Sequence, residues 1–207
     1  MKKRTGIFNM AATIVVAMAM FTVDCKAADD EVDFKELTKK NDVYYTKNGK
    51  PFTGKLVKYY ESGSVMERGG FKEGKIHGTG KVFYESGKLK YDINSKDGKL
   101  NGVLKEFYEN GNLKSEATFK DDKVYGIGKT FYENGKLSTE GNYKDGEKHG
   151  IYKEYEEDGK LSTEANYKDG KKYGIFNGYD ENGKLSMEAN MKDDKLHGIL
   201  KYMKMEN

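Results

Sequence analysis

The sequence predicts an all-β protein made of stacked β-hairpins with a 24-residue repeat. Three observations support this fold class. Glycine recurs every 24 residues in two separate series, turn-forming pairs such as Asn-Gly accompany one series, and the segments between turns alternate apolar and polar residues. Hairpins joined by short turns form an antiparallel meander, so we expect an elongated sheet or solenoid, preceded by a signal-peptide helix.

The composition indicates a folded chain with little deep core. The 207 residues are 36% hydrophobic and 34% charged, and they include no Trp, 16 Tyr and 10 Phe. A compact two-layer core uses more aliphatic side chains than this, whereas disordered chains are poor in aromatic residues.

The first 27 residues are organised like a signal peptide. Three basic residues at positions 2–4 precede the apolar run 10–23, which is short for a membrane span of roughly 20 residues. Cleavage after Ala27 gives an exported protein, located in the periplasm, at the cell surface or outside the cell. A retained N-terminal anchor and a lipoprotein modified at Cys25 are the alternatives.

Cleavage changes the charge of the chain. Residues 1–27 hold four of the 37 basic residues, one of the 34 acidic residues and the single cysteine. The mature chain then has 33 residues of each sign, so no global charge favours nucleic acid. Without cysteine it has neither a disulfide nor a thiol nucleophile.

Two regions follow the signal peptide. Residues 28–42 are rich in charge and predict a flexible lead-in, and the repeat domain extends over residues 43–207. The segment 43–54 looks like half of a repeat, and 199–207 begins a further first strand. Terminal repeats of a solenoid depart from the consensus because they cap it.

Each repeat contains two turns. The first glycine series comprises Gly63, Gly87, Gly111, Gly135, Gly159 and Gly183. The second series comprises Gly54, Gly78, Gly102, Gly126, Gly150, Gly174 and Gly198. The Asn-Gly and Asp-Gly pairs of the first series predict type I′ turns, in which both residues take positive φ. The second turn, as in 145–150, is less regular.

The second strand of each repeat shows a clear division into two faces. In 113–119, Leu113, Ser115, Ala117 and Phe119 share one face, and the three residues between them are polar. The first strand, as in 151–157, is less regular and predicts two faces that are both partly in water.

Small residues at one position of the second strand leave space for an aromatic ring from the adjacent strand. The small series comprises Ala117, Gly141, Ala165 and Ala189. The rings that we expect in this space are those of Phe107, Phe131, Tyr155 and Tyr179.

Two copies, 131-FYENGKLSTEGNYKDGEKHGI-151 and 155-YEEDGKLSTEANYKDGKKYGI-175, resemble the MORN repeat variant, the bacterial form of the MORN repeat. The resemblance covers about three quarters of the chain in six or seven copies. It implies a sheet of hairpins that mediates contacts with other molecules. This repeat is often found in proteins of the YwqK antitoxin family, which implies an inhibitor of a toxin as an alternative. A weaker resemblance to cell-wall-binding repeats implies carbohydrate binding.

The three histidines are candidate metal ligands by residue type. His77, His149 and His197 share one position of the repeat, just before a second-series glycine. His77 and His149 are three repeats apart, on the order of 30 Å at ~4.8 Å per strand, which is too far for one zinc ion. We therefore predict turn positions, with no metal and no cofactor.

Four glutamates recur on the polar face of the second strand and are candidate acid or base catalysts. They are Glu116, Glu140, Glu164 and Glu188. Neighbours in this series would lie about 9–10 Å apart, close to the separation in an inverting glycosidase. A catalytic acid should have sequence surroundings that differ from those of the equivalent glutamates, and no copy shows such a difference. We therefore expect Glu–Lys pairs across strands and no enzyme activity.

We expect an exported, non-enzymatic repeat protein that presents an extended surface to a protein partner. The candidate contact residues are the exposed tyrosines Tyr84, Tyr108 and Tyr132, which become Glu156 and Asp180 in later copies. Tyrosine supplies a large contact area at low entropic cost. Membrane-surface contact is a weaker alternative, and the edge strands leave edge-to-edge self-association open.

Overall fold

The computed structural model describes residues 31–203. The predicted signal peptide, its cleavage site at Ala27 and the alternatives for residues 1–27 lie outside this part of the chain. Across residues 31–203 the structure is almost entirely β, with 17 strands and one 3₁₀ turn. None of these residues forms a helix long and apolar enough to cross a membrane.

The chain divides into two compact units. Unit 1 comprises residues 31–111 and 119–122, and unit 2 comprises residues 112–118 and 123–203. Unit 1 contains β1 (Glu31–Asp33), the 3₁₀ turn (Phe34–Glu36), β2 (Thr38–Lys40), β3 (Val43–Tyr45), β4 (Gly54–Tyr59), β5 (Val65–Lys72), β6 (Lys75–Phe83), β7 (Leu89–Lys96), β8 (Lys99–Leu100) and β9 (Gly102–Phe107). Strand β10 (Leu113–Lys120) has residues in both units. Unit 2 continues with β11 (Lys123–Phe131), β12 (Leu137–Lys144), β13 (Glu147–Tyr155), β14 (Leu161–Lys168), β15 (Lys171–Tyr179), β16 (Leu185–Lys192) and β17 (Lys195–Tyr202).

Within each unit the repeats are antiparallel hairpins, as predicted. In unit 2 every strand from β11 to β17 pairs with the next strand in the chain. In unit 1 the strands from β4 to β7 pair in the same way, and β7 also pairs with β8 and β9. The all-β class and the hairpin repeat are therefore confirmed.

Strand β1 departs from the antiparallel prediction, because it pairs in parallel with β4. The hairpin β2–β3 lies between them in the chain and lets β1 run in the same direction as β4. The predicted flexible lead-in, 28–42, thus contains secondary structure from Glu31 onward. The larger apolar residues of this segment, Val32, Phe34 and Leu37, pack against a hydrophobic cluster. That cluster comprises the buried residues Tyr44, Phe52, Leu56 and Phe71.

The two turns of the repeat have the reverse of the predicted geometry. In the first turn only the glycine takes positive φ: Gly135 is at +84°, and its N–H donates to the carbonyl of Tyr132. The type I′ geometry occurs in the second turn, where Asp145 and Gly146 have φ of +53° and +93°. Because type I′ matches the twist of a two-residue hairpin, the Asp-Gly pairs of the second turn close the tighter hairpins.

The second glycine series lies inside the first strand of each hairpin, at a bulge. Between the residue pairs Gly141–Tyr152 and Tyr143–Lys148, β13 contains two more residues than β12. Gly150 lies in this bulge at φ +90°, where a Cβ is strongly disfavoured. This requirement explains why glycine recurs there in every copy.

The predicted inner face of the second strand is confirmed. Ser115, Ala117 and Phe119 of β10 are buried, as are Thr139 and Tyr143 of β12. We call the face that carries these residues the inner face and the opposite face the outer face. The first strand contributes to both faces, because its side chains also alternate.

The ring beside the small inner residue is different from the predicted one. Tyr152 is buried opposite Gly141, and a Cβ on Gly141 would overlap the ring of Tyr152. Phe131 and Tyr155, which we expected there, instead lie beside the first turn, opposite leucines of the next strand. The bulge changes the register within the strand, and a count of residues from turn to turn therefore misplaces the ring.

Hydrogen bonds from the turns connect successive repeats. The Tyr132 hydroxyl, in a first turn, donates to the carbonyl of Tyr155 at 2.6 Å. The N–H of Gly146, in a second turn, donates to the carbonyl of Val124 at 3.0 Å. Equivalent bonds recur at the same spacing in both units, and they hold each turn against the neighbouring repeat.

The pairing of Gly141 with Tyr152 predicts a strong size constraint. Gly141→Ala should lower the free energy of unfolding by about 1–3 kcal/mol, since the buried ring must move. In a Tyr152→Leu background the same change should cost less than about 0.5 kcal/mol, because the overlap is gone. Urea unfolding of the four proteins measures the coupling, and an equal cost in both backgrounds would contradict the constraint.

The hydrogen bond from the Tyr132 hydroxyl to the carbonyl of Tyr155 predicts a second effect on the free energy of unfolding. Tyr132→Phe removes a hydrogen bond to a backbone carbonyl and should destabilise unit 2 by about 1 kcal/mol. The matched control is Tyr125→Phe, because Tyr125 is 55% exposed. Thermal unfolding that shows the same change for both variants would argue against the role of this bond.

Candidate functional site

The tyrosines predicted to contact a partner lie at the start of the first turns. Tyr84, Tyr108 and Tyr132 are all half-buried. The Tyr84 hydroxyl donates to the carbonyl of Phe107 at 2.8 Å, in the same manner as that of Tyr132. The hydroxyls of Tyr84 and Tyr132 therefore have a structural role, and contact of the three rings with a partner stays a prediction.

The histidines lie beside acidic residues of the second turns. Nδ1 of His77 is 3.3 Å from Oδ1 of Asp97, and Nδ1 of His149 is 3.5 Å from Oδ1 of Asp169, without a well-aligned hydrogen bond in either case. His197 is exposed. Among residues 31–203, no three His, Cys, Asp or Glu side chains form a group that could hold a metal ion.

The recurring glutamates Glu140, Glu164 and Glu188 pair with lysines on the outer face, as predicted. The nitrogen–oxygen distances are 2.9 Å for Lys129–Glu140, 3.2 Å for Lys153–Glu164 and 3.3 Å for Lys201–Glu188. Hydrogen bonds to Glu140 and Glu164 raise the pKa of Lys129 and of Lys153, respectively. This row of side chains is thus neutralised pair by pair.

A row of exposed isoleucines occupies the outer face of unit 2. Ile127, Ile151, Ile175 and Ile199 are 56%, 47%, 54% and 62% exposed, and we call them the isoleucine row. Each directly follows a second-series glycine, and successive members are two strands apart, or about 9.6 Å. Asparagines stand opposite three of them on the intervening strands: Asn142, Asn166 and Asn190.

The isoleucine row was not predicted from the sequence. The available signal was the Gly-Ile pair at 126–127, 150–151, 174–175 and 198–199. In a half-buried strand the outer face is normally polar, so an aliphatic residue recurring there is informative.

The inner face of unit 2 carries a second unusual group. It comprises Tyr143, Lys148, Tyr152, Tyr167 and Lys172, which we call the tyrosine–lysine patch. The Tyr143–Tyr152 and Tyr152–Tyr167 ring pairs are T-shaped, with centroids 6.5 and 5.7 Å apart. Nζ of Lys148 lies 3.2 Å from the ring centroid of Tyr152 and 4.8 Å from that of Tyr167.

Burial shifts the pKa values of this patch. Desolvation lowers the pKa of Lys148 to about 8, an effect that Glu154 opposes and the positive charge of Lys172 reinforces. Burial also raises the pKa of Tyr167 to about 12. The patch is therefore a place where a positive charge is held on a largely dry, aromatic surface.

The repeats of this chain match a known family. The family model for the MORN repeat variant matches residues 76–97, 100–121, 125–145, 148–169 and 172–193. A comparison with curated proteins found no match. The five matched segments are fewer than the six or seven copies expected from the sequence, and they cover more than half of the chain. Each of the last three spans most of a first strand, its first turn, a second strand and the first residue of the following second turn. The chain therefore belongs to the MORN repeat variant family.

Proposed function

We propose that this chain is a non-enzymatic repeat protein that binds a protein partner along the isoleucine row of unit 2. The observation that carries the proposal is the recurrence of a half-exposed isoleucine at the same position of four successive repeats. Single exposed apolar residues are normal on protein surfaces, whereas a regular series on one face is typical of an interaction site.

The isoleucine row can supply useful binding energy. Complete burial of an isoleucine side chain is worth roughly 1.5–3 kcal/mol, so the exposed half of each leaves about 1 kcal/mol for a partner. Four such residues provide about 4 kcal/mol before the cost of association is subtracted. Polar contacts from the flanking asparagines and Lys–Glu pairs would form the rim of such an interface.

The spacing of the row indicates the form of the partner. Apolar positions seven residues apart in an α-helix are about 10.5 Å apart, close to the ~9.6 Å between successive isoleucines. An amphipathic helix laid across the strands can therefore place one apolar residue beside each isoleucine. The lysines and glutamates beside the isoleucine row are paired with each other. They therefore do not strongly repel a helix with a net positive or a net negative charge.

Site-specific crosslinking in the native cells tests this surface. A photo-reactive amino acid replaces Asn142 or Asn190, both exposed beside the isoleucine row, and Glu157, exposed in a first turn, is the control position. We expect the same protein to be captured from the two row positions and not from Glu157. Capture of another copy of the chain, or equal capture from all three positions, would contradict the proposal.

The captured protein then allows a quantitative measurement. Ile151→Thr and Ile175→Thr should each weaken binding about five- to tenfold, since each removes about 1 kcal/mol of contact. Thr79 occupies the corresponding position of an earlier repeat, so threonine is compatible with the fold. Calorimetry with the purified full chain measures the affinity of each variant for the captured protein, and Tyr125→Phe is the control variant.

We also propose that the chain is exported, on the basis of the basic and apolar segments in residues 1–27. The expected mature N-terminus is Ala28. N-terminal sequencing of the protein from the cell envelope and from the medium measures it directly. Recovery of the intact chain only from the cytosol would instead favour an intracellular inhibitor.

A further inference from the structure

We infer that the tyrosine–lysine patch on the inner face of unit 2 binds an acidic polypeptide segment in an extended, polyproline-like conformation, with carboxylates paired to Lys148 and Lys172. This inference concerns the other face of the sheet and a different partner chemistry. It therefore does not depend on the isoleucine row.

The two lysines occupy a position that is apolar in the other repeats. The corresponding residues are Ile76, Leu100, Val124 and Leu196. In β13 and β15 this position is paired across the strand with Tyr143 and Tyr167, so it belongs to the inner face. An apolar residue at this position is sufficient for the fold. Burial of an ammonium group costs free energy, because the group loses its hydration.

The side chain of neither lysine forms an ion pair with a carboxylate among residues 31–203, although the backbone N–H of Lys172 donates to Oδ1 of Asp194 at 2.9 Å. Nζ of Lys148 lies over Tyr152 and Tyr167, and Nζ of Lys172 lies 4.5 Å from the ring centroid of Phe176. On the outer face, by contrast, Lys129 and Lys153 are each bonded to a glutamate. Cation–π contacts hold the two ammonium groups in place and leave their charge available to an anion.

The charges around the patch favour a carboxylate over a polyanion. The ionisable groups that act on Lys148 are Lys172, which repels it, and Glu154, which attracts it from the same face. A carboxylate placed near both lysines would relieve their repulsion and gain charge-assisted hydrogen bonds. Two cations close to a glutamate are too few for a nucleic acid backbone, whose binding depends on many phosphate contacts.

The geometry favours a polyproline-like segment. Lys148 and Lys172 lie two strands apart, at about 9.6 Å. A polyproline II chain returns its side chains to the same side every third residue, after about 9.3 Å. Surfaces lined by aromatic residues bind such chains well, because the chain is already extended and its proline rings pack on the aromatic faces. The expected pattern is an acidic residue at every third position.

The test uses the full chain and a fluorescein-labelled peptide of four Glu-Pro-Pro repeats, with binding measured by fluorescence anisotropy at pH 7. We expect Lys148→Met with Lys172→Met to weaken binding at least about tenfold. The matched control is Lys144→Met with Lys192→Met, which removes the same charge from exposed outer positions and should change the affinity less than about threefold. A peptide of the same composition with its four glutamates adjacent should bind more weakly.

Several outcomes would overturn the inference. They are absence of binding at millimolar peptide, equal binding of the two peptides, or equal losses in the two double variants. Tighter binding of an oligothymidine or of phosphatidylglycerol vesicles through the same lysines would assign the patch to polyanions instead. Ile151→Thr should leave peptide binding unchanged, so failure of this site is distinguishable from failure of the isoleucine row.

The pH dependence provides a readout that a purely structural role would not give. Lys148 loses its charge as the pH rises through about 8, so peptide affinity should fall between pH 7 and pH 9.5. Lys148→Met should remove most of this dependence, because it removes the group that titrates near pH 8, while burial raises the pKa of Tyr167 to about 12. A profile that is identical in the two proteins would contradict the pairing of a carboxylate with Lys148.

Thermal unfolding without peptide checks that the variant is folded. The folded chain releases the Lys148 proton near pH 8, while the unfolded chain keeps it until near its ordinary pKa of 10.5. Stability of unit 2 should therefore rise with pH between these values. Lys148→Met should melt at a higher temperature than the parent at pH 7, and this difference should shrink as the pH approaches 9.5.

Discussion

The inner side chains of each repeat are covered by the strands on either side of them, and this constraint governs the rest of the structure. A large ring on one strand requires a small residue on the next, as Gly141 and Tyr152 show. Ala165 lies between two rings, since it is paired with Tyr152 on one side and with Phe176 on the other. The volume at one position is thus linked to the volumes on both neighbouring strands. A constant repeat length satisfies this requirement because it returns equivalent residues to the same register.

The start of unit 1 meets the same constraint by another route. Here the apolar residues of the inner face are covered by Tyr44, Phe52 and the segment that contains Val32 and Phe34. The parallel strand β1 also occupies the free edge of β4. A repeat array needs atypical ends, because its first copy has no earlier copy to cover it. The charged lead-in therefore contributes to the fold as a cap.

The two faces of unit 2 offer different chemistry to other molecules. The outer face repeats one aliphatic residue per hairpin between rows of paired charges. The inner face has Lys148 and Lys172 at a position that is apolar in the other repeats, and their ammonium groups lie over aromatic rings. Both surfaces arise from substitutions at single positions of the repeat, which leave the turns, the bulges and the strand pairing unchanged. A repeat sheet can therefore change the chemistry of one face while its backbone stays the same.

The sequence by itself determined the all-β class, the 24-residue period, the inner face of the second strand and the Glu–Lys pairs of the outer face. These features depend on alternation within a strand, as in 137–144, and on the 24-residue spacing of equivalent positions along the chain. The tertiary structure alone decided the turn types, the identity of the buried ring, the parallel strand β1 and the absence of side-chain ion pairs at Lys148 and Lys172 within residues 31–203. Those features depend on which residues face each other across strands, and the bulge at Gly150 shifts that register by an amount that periodicity does not reveal. The isoleucine row lay between these cases, because its spacing was visible in the sequence but its exposure was decided by the pairing of the strands.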